Sequence, residues 1–251
     1  MLWHHAFLET RWRFLIGLVV LPVSAAFVAL GYPQVAALSQ SVTPAPNTAL
    51  GREIAAAMEM AKTFDGYVWS QWFRQNGAQL GAFFAVIIGT GGLLSQTAAA
   101  RLFTLSLPVS RERLLGTRAG AGLGQVLALA LVPAVVIVLV SPVAGYRFPV
   151  LDALAYALCG FAGFAVFFSL AFFCSSLFGN AWAPAALAMC GGLALSMIGG
   201  LVSADFSLLV MMHGEAYFRG HGLPWPMLLV SAGLSAALIY AGIRSMARKD
   251  F

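Results

Sequence analysis

Between Ala153 and Ala204 the chain carries no charged side chain at all. A domain folded in water needs a wettable surface, and a run this long without one belongs inside a bilayer. Its one good break is Phe178-Gly179-Asn180, so the run reads as two membrane spans, about 153–178 and 181–204, joined by a tight turn. The composition agrees. Of 251 residues 61% are hydrophobic and 9% charged, with a mean hydropathy of +0.87, whereas a soluble domain carries about 25% charged residues. The formal net charge of +5 is therefore loop charge facing anionic headgroups and not a footprint for nucleic acid.

Further apolar stretches at about 14–31, 80–100, 119–140 and 224–243 are long enough to cross the hydrocarbon. The expectation is an all-α integral membrane protein, a single transmembrane domain over 1–251 with six spans. Residues 1–13 are too short to cross and form an N-terminal interfacial helix, with Leu2, Trp3, Ala6 and Phe7 in the headgroup boundary, Glu9, Arg11 and Arg13 wet, and His4-His5 an interfacial pair. The apolar run behind Arg11 and Arg13 exceeds a signal-peptide core of about 7–15 residues, so it is read as a retained span in which Pro22 introduces a kink.

Residues 32–79 form the longest polar section. It opens with loop composition and continues as an amphipathic surface helix with Ile54, Ala57, Met58, Ala61 and Phe64 on one face. Tyr67, Trp69, Trp72 and Phe73 then mark the place where the chain re-enters lipid. Gly116, Gly120 and Gly124 make a row along which another helix can approach closely, within the chain or in a dimer. The mixed segment 205–223 fits a half-inserted or interfacial helix. Cys159, Cys174 and Cys190 fall in apolar stretches and read as buried thiols. The serines inside spans (Ser24, Ser95, Ser169, Ser175, Ser176, Ser196) are expected to bond to carbonyls one turn earlier.

Six spans place both termini on one side. That side would hold Arg11, Arg13, Arg101, Arg111, Arg113, Arg118, Arg244, Arg248 and Lys249 against Glu9, Glu112 and Asp250. The other would hold Arg52, Lys62, Arg74, Arg147 and Arg219 against a larger number of acids. The first side is thus the cytoplasmic one. No charge falls well inside a span, which counts against a proton- or ion-coupled carrier or channel and against an intramembrane protease. The only lysines, Lys62 and Lys249, lack the glycines of a phosphate loop, so the chain has no means of hydrolysing ATP by itself. Met211, Met212, His213 and His221 offer soft and imidazole ligands suited to copper, though methionines of an interfacial helix touching lipid explain them as well.

The most informative connection is 101–118. Pro108 bends the chain, Ser110 caps a short helical turn through Arg111, Glu112, Arg113, Leu114 and Leu115, and Gly116 loosens its end. The segment Leu105-Ser-Leu-Pro-Val-Ser-Arg111 followed by Leu114-Leu115 resembles the permease subunits of ABC transporters of the type-2 exporter class. The likeness extends to the whole layout of six spans, long outer section and embedded segment before the last span. It implies that 102–115 is a coupling helix docking into a cytoplasmic ABC ATPase, with Leu107, Pro108, Val109, Ser110, Arg111, Glu112 and Arg113 at the contact. It also implies two ATPase subunits, which bind the ATP and Mg while this chain holds no cofactor, and a second six-span permease, same or homologous. The location implied is the bacterial inner membrane. Substrate would pass between the halves, with Phe83, Phe84, Met189, Ser196 and Met197 as lining candidates. A different function compatible with the same residues is a non-transporting anchor or mechanotransmitter that links an ATPase to an outer-side partner.

Overall fold

In the computed structural model, which describes residues 2–39, 55, 58–90, 110–180, 182–203 and 206–248, regular structure among the described residues is helical throughout. The elements are α1 (Leu2–Ser39), α2 (Phe64–Val68), a π-helical segment (Trp69–Asn76), α3 (Gly77–Gly89), α4 (Arg111–Val140), α5 (Val150–Leu177), α6 (Trp182–Val202), the short α7 (Leu208–Met212) and α8 (Glu215–Phe218), and α9 (Trp225–Ala247). Five stretches among them are long and apolar enough to cross a membrane: Ala6–Leu38, Glu112–Ala144, Val150–Leu177, Trp182–Val202 and Trp225–Ala247. The protein is a multi-pass membrane protein.

Helix α5 is the axis. It packs against α3, α4, α6 and α9, and α1 completes the layer by lying on α4 and α3. Phenylalanines on α5 key into glycines on each neighbour. A Cβ on Gly81 of α3 would stand 2.1 Å from the Phe164 ring, one on Gly122 of α4 2.4 Å from Phe168, and one on Gly192 of α6 2.2 Å from Phe167. On α9, Gly242 faces Phe172 at 3.1 Å. With no hydrophobic force between helices in lipid, contact of this kind between large rings and bare backbone supplies the attraction.

The structure corrects several boundaries. Residues 2–13 do not form a separate interfacial helix: α1 runs unbroken through them and beyond Pro33 to Ser39. The charges that argued for an interruption are satisfied by the fold instead. Glu9 pairs with Arg118 at 3.4 Å, and Arg13 Nη1 donates to the carbonyls of Ile87 and Thr90, both at 2.9 Å. The expected second span, 80–100, begins earlier. Its helical run enters at Phe64, where the Thr63 hydroxyl accepts from Gly66 N, and α3 ends at Gly89; 91–100 lie outside the described residues. Tyr67, Trp69, Trp72 and Phe73 are buried in the protein and do not face lipid as a belt. The glycine of α4 in closest contact is Gly122, while Gly116 and Gly124 would meet nothing within 4 Å. Cys190 is exposed, in contrast to Cys159.

Other expectations agree. The break at 178–180 is present, and Asn180 Oδ1 accepts from Ala183 N to open α6. Segment 205–223, in its described part, is two short helices hinged at Gly214, whose φ of 65° suits glycine. Ser169 and Ser176 donate to Ala165 O and Phe173 O. Ser175 Oγ has no partner among the described residues, and Ser196 bonds differently, as described below.

Candidate functional site

Two regions have the makings of a site. The first is the basic end of the bundle, where the chain leaves α3 at Thr90 and returns at Ser110. Both posts of that connection are held firmly. On the outgoing side, the Arg13 guanidinium takes up two carbonyls at the C-terminus of α3, where the helix dipole concentrates negative charge. Gly89 sits against α5 so closely that a Cβ would be 2.6 Å from Phe168 O. On the returning side, Ser110 Oγ accepts from Arg113 N at 3.3 Å, a side-chain cap of the usual kind. Arg244 of α9 reaches Glu112 at 3.4 Å, and Arg118 reaches Glu9.

This arrangement alters the expected short helix at 111–115. Leu114, Leu115 and Gly116 continue directly into the membrane as one helix of 30 residues, with Gly116 inside it. Leu107, Pro108 and Val109 lie outside the described residues. Glu112 and Arg113 are exposed. A load applied at Arg111 or Arg113 therefore meets no joint before the middle of the bilayer.

The second region is one face of the run that ends in α3. Arg74, Gln75, Gln79 and Phe83 are exposed along it, and neither glutamine has a hydrogen-bond partner among the described residues. Gln79 stands ten residues before Gly89, roughly 15 Å along the helix from the basic end and so near the middle of an apolar layer about 30 Å thick. An amide left unpaired in hydrocarbon costs roughly 2–7 kcal/mol. This face is built for water or for another polar surface, not for lipid tails.

Of the expected lining residues, Phe83 and Met197 are exposed, on α3 and α6. The others serve packing. Phe84 is buried against Gly17 of α1, Met189 is half-buried against the core, and Ser196 is buried with its hydroxyl 2.7 Å from Ser207 Oγ, accepting also from Leu209 N at 3.0 Å. Ser196 thus ties α6 to α7. Sequence reading missed Gln75 and Gln79; their i, i+4 spacing beside Arg74 is the signal that was available.

The far end is closed by rings. Tyr32, Phe64 and Tyr146 meet within 4.9–5.3 Å, Tyr156 and Tyr217 lie 5.4 Å apart, and Trp69 stacks on Phe218 at 3.9 Å. Tyr217 Oη donates to Asp152 at 2.8 Å, which holds its phenol above the ordinary range. Met211 and Met212 are both buried but diverge. Met211 shares the wall of a cavity of about 340 Å³ with His221, whereas Met212 covers Gly163 in the interior. His213 gives its carbonyl to Trp69 Nε1 at 2.9 Å.

Burial, and then the nearby Arg74, push the His213 imidazole down to about 4, Glu215 opposing. Docked His213 is thus neutral where a released one would charge. The docked state is fully favoured above about pH 6.5 and loses that advantage as pH falls toward 4, by roughly 3 kcal/mol at most. Trp69 fluorescence, sensitive to its Phe218 and His213 contacts, is expected to change between pH 6.5 and 4.5, and His213→Gln to abolish the change.

Comparison with family models, with curated proteins and with solved structures finds no match for this chain.

Proposed function

We propose that the chain is the membrane-spanning permease subunit of an ATP-driven exporter of the ABC type-2 class, working with a separate ATPase and a second six-span half. It would lie in a bacterial inner membrane with both termini and the 101–118 connection in the cytoplasm. The observation that carries this reading is the unbroken α4, which begins on the serine of the Leu-Pro-Val-Ser-Arg motif and ends at the opposite end of the bundle. A partner gripping the motif would move α4, and through the Gly122–Phe168 key it would move α5, as a rigid lever moves its load.

The polar face of α3 supports the same reading. A passage formed between two halves needs a wettable wall inside the bilayer, and Gln75, Gln79 and exposed Phe83 supply one that both polar and apolar groups of a substrate can touch. ATP-dependent movement of a compound into inverted vesicles, with the co-purified ATPase present, tests the proposal. A complex that hydrolyses ATP and moves nothing would favour the anchor or mechanotransmitter instead. Gln75→Leu with Gln79→Leu is expected to lower transport at least about tenfold while leaving ATPase association unchanged, since the pair lies far from Arg111. Equal transport by the double variant would remove this face from the path.

A further inference from the structure

At the basic end a lateral groove of about 470 Å³ separates the first turns of α1 from α4. Its floor is Gly120 and Gly124, its walls are Trp3, Phe7 and Phe14, and Gln125 closes its inner end. His4 stands on the wall near the mouth. Nearly all of this lining is apolar, and Gln125 is the exception. Its side chain is 4% exposed, and one end of the amide accepts from Thr10 Oγ1 at 2.9 Å. The other end, Nε2, has no partner among the described residues. Turning the amide over exchanges the two ends and still leaves one without a partner.

Depth decides what can fill this groove. Arg118, paired with Glu9, lies seven residues before Gln125, roughly 10 Å along the helix. Exposed Trp12, carrying Arg11 over its ring, lies two residues past Thr10 and so marks the same level from α1. Gln125 thus sits at the foot of the headgroup layer, where water thins out and the ester carbonyls of phospholipids lie. An acceptor is needed there, and an apolar channel leads away from it.

We propose that this groove binds one diacyl phospholipid of the surrounding bilayer, with an ester carbonyl accepting from the Gln125 amide and an acyl chain lying over Gly120 and Gly124. The site is independent of the transport reading, since it requires only that the chain spans a membrane. Gly120 and Gly124 are then the residues that keep the channel open, and Trp3 and Phe7 its lid on the headgroup side.

Native mass spectrometry of the full-length protein, extracted from vesicles of palmitoyl-oleoyl phosphatidylglycerol or of its diether analogue, tests this. The wild type is expected to retain one ester lipid in preference to the diether form by roughly three- to tenfold, the ratio that one net hydrogen bond produces. Gln125→Leu is expected to retain both forms equally. Gly124→Leu, whose Cβ meets nothing within 4 Å, fills the channel without straining the fold and is expected to lose the retained lipid in both forms. Gly116→Leu, equally free of neighbours and outside the groove, keeps wild-type retention. Equal retention of the two lipids by the wild type, or undiminished retention by Gly124→Leu, overturns the proposal. A change of oligomeric state in Gly124→Leu with lipid retention unaltered would assign the groove to a second copy of the chain and overturn it too.

Discussion

Replacing Arg111 and Arg113 together by glutamate is expected to leave the protein inserted and to detach its ATPase. The substitutions fall in the first turn of α4, outside the apolar layer, and the Ser110 cap is made to the Arg113 backbone, which any residue provides. Glutamate in the first turn of a helix is favoured by the dipole, so α4 itself is not weakened. Arg11, Arg13, Arg101, Arg118, Arg244 and Arg248 remain to fix orientation. What changes is the sign of the surface offered to the partner. Two charge-assisted contacts, each contributing about 1.5–3 kcal/mol, give a loss of roughly a hundredfold or more in affinity. Pull-down of the ATPase and coupling of its hydrolysis to transport are the measurements. If the doubly reversed protein co-purifies and transports as the wild type does, the motif serves orientation alone.

Gly89→Val is expected to remove most of the folded protein from the membrane. Here the neighbours of a new Cβ are not the yielding ends of side chains. Phe168 O lies at 2.6 Å, Ala171 Cβ at 2.8 Å and the Phe172 nitrogen at 3.3 Å, so α3 and α5 must separate along their backbones. Overpacking costs typically 1–3 kcal/mol where side chains can adjust, and at this contact they cannot. Separation would also draw Thr90 away from the Arg13 guanidinium. Thermal stability in detergent and the yield of monodisperse protein report the loss. Gly116→Ala, on α4 with open space around it, is the matched control and is expected to be neutral or slightly stabilising through helix propensity. Comparable behaviour of the two variants would mean that α3 and α5 do not meet as described.

What the sequence disclosed and what it concealed divide along a physical line. The turn at Gly179-Asn180 and the cap at Ser110 are local chemistry, carried by the residues themselves, and both stand where periodicity and capping rules put them. The continuity of α1 was hidden because Glu9 and Arg13 read as wet charges. Their partners, Arg118 and the carbonyls at Ile87 and Thr90, are distant in the chain. The glycine row misled for a related reason: Gly116, Gly120 and Gly124 share one spacing, but the choice of Gly122 depends on where Phe168 arrives from α5. Likewise the face with Gln75 and Gln79 was legible as two amides one turn apart, while its exposure depends on which helices do not cover it.

The π-helical stretch Trp69–Asn76 has a consequence of its own. Its wider ring, closed by Gly77 N on Trp72 O five positions earlier, amounts to one surplus residue in an otherwise α-helical rod. Loss of a single residue there would restore ordinary winding with Phe64 and Gln79 keeping their present directions. The same loss anywhere in α3 would swing everything on one side of it by about 100°. The chain thus contains one short place where its length is forgiving, set between the ring-sealed end and the glutamine face, and shortening it tells whether those two ends are geared together.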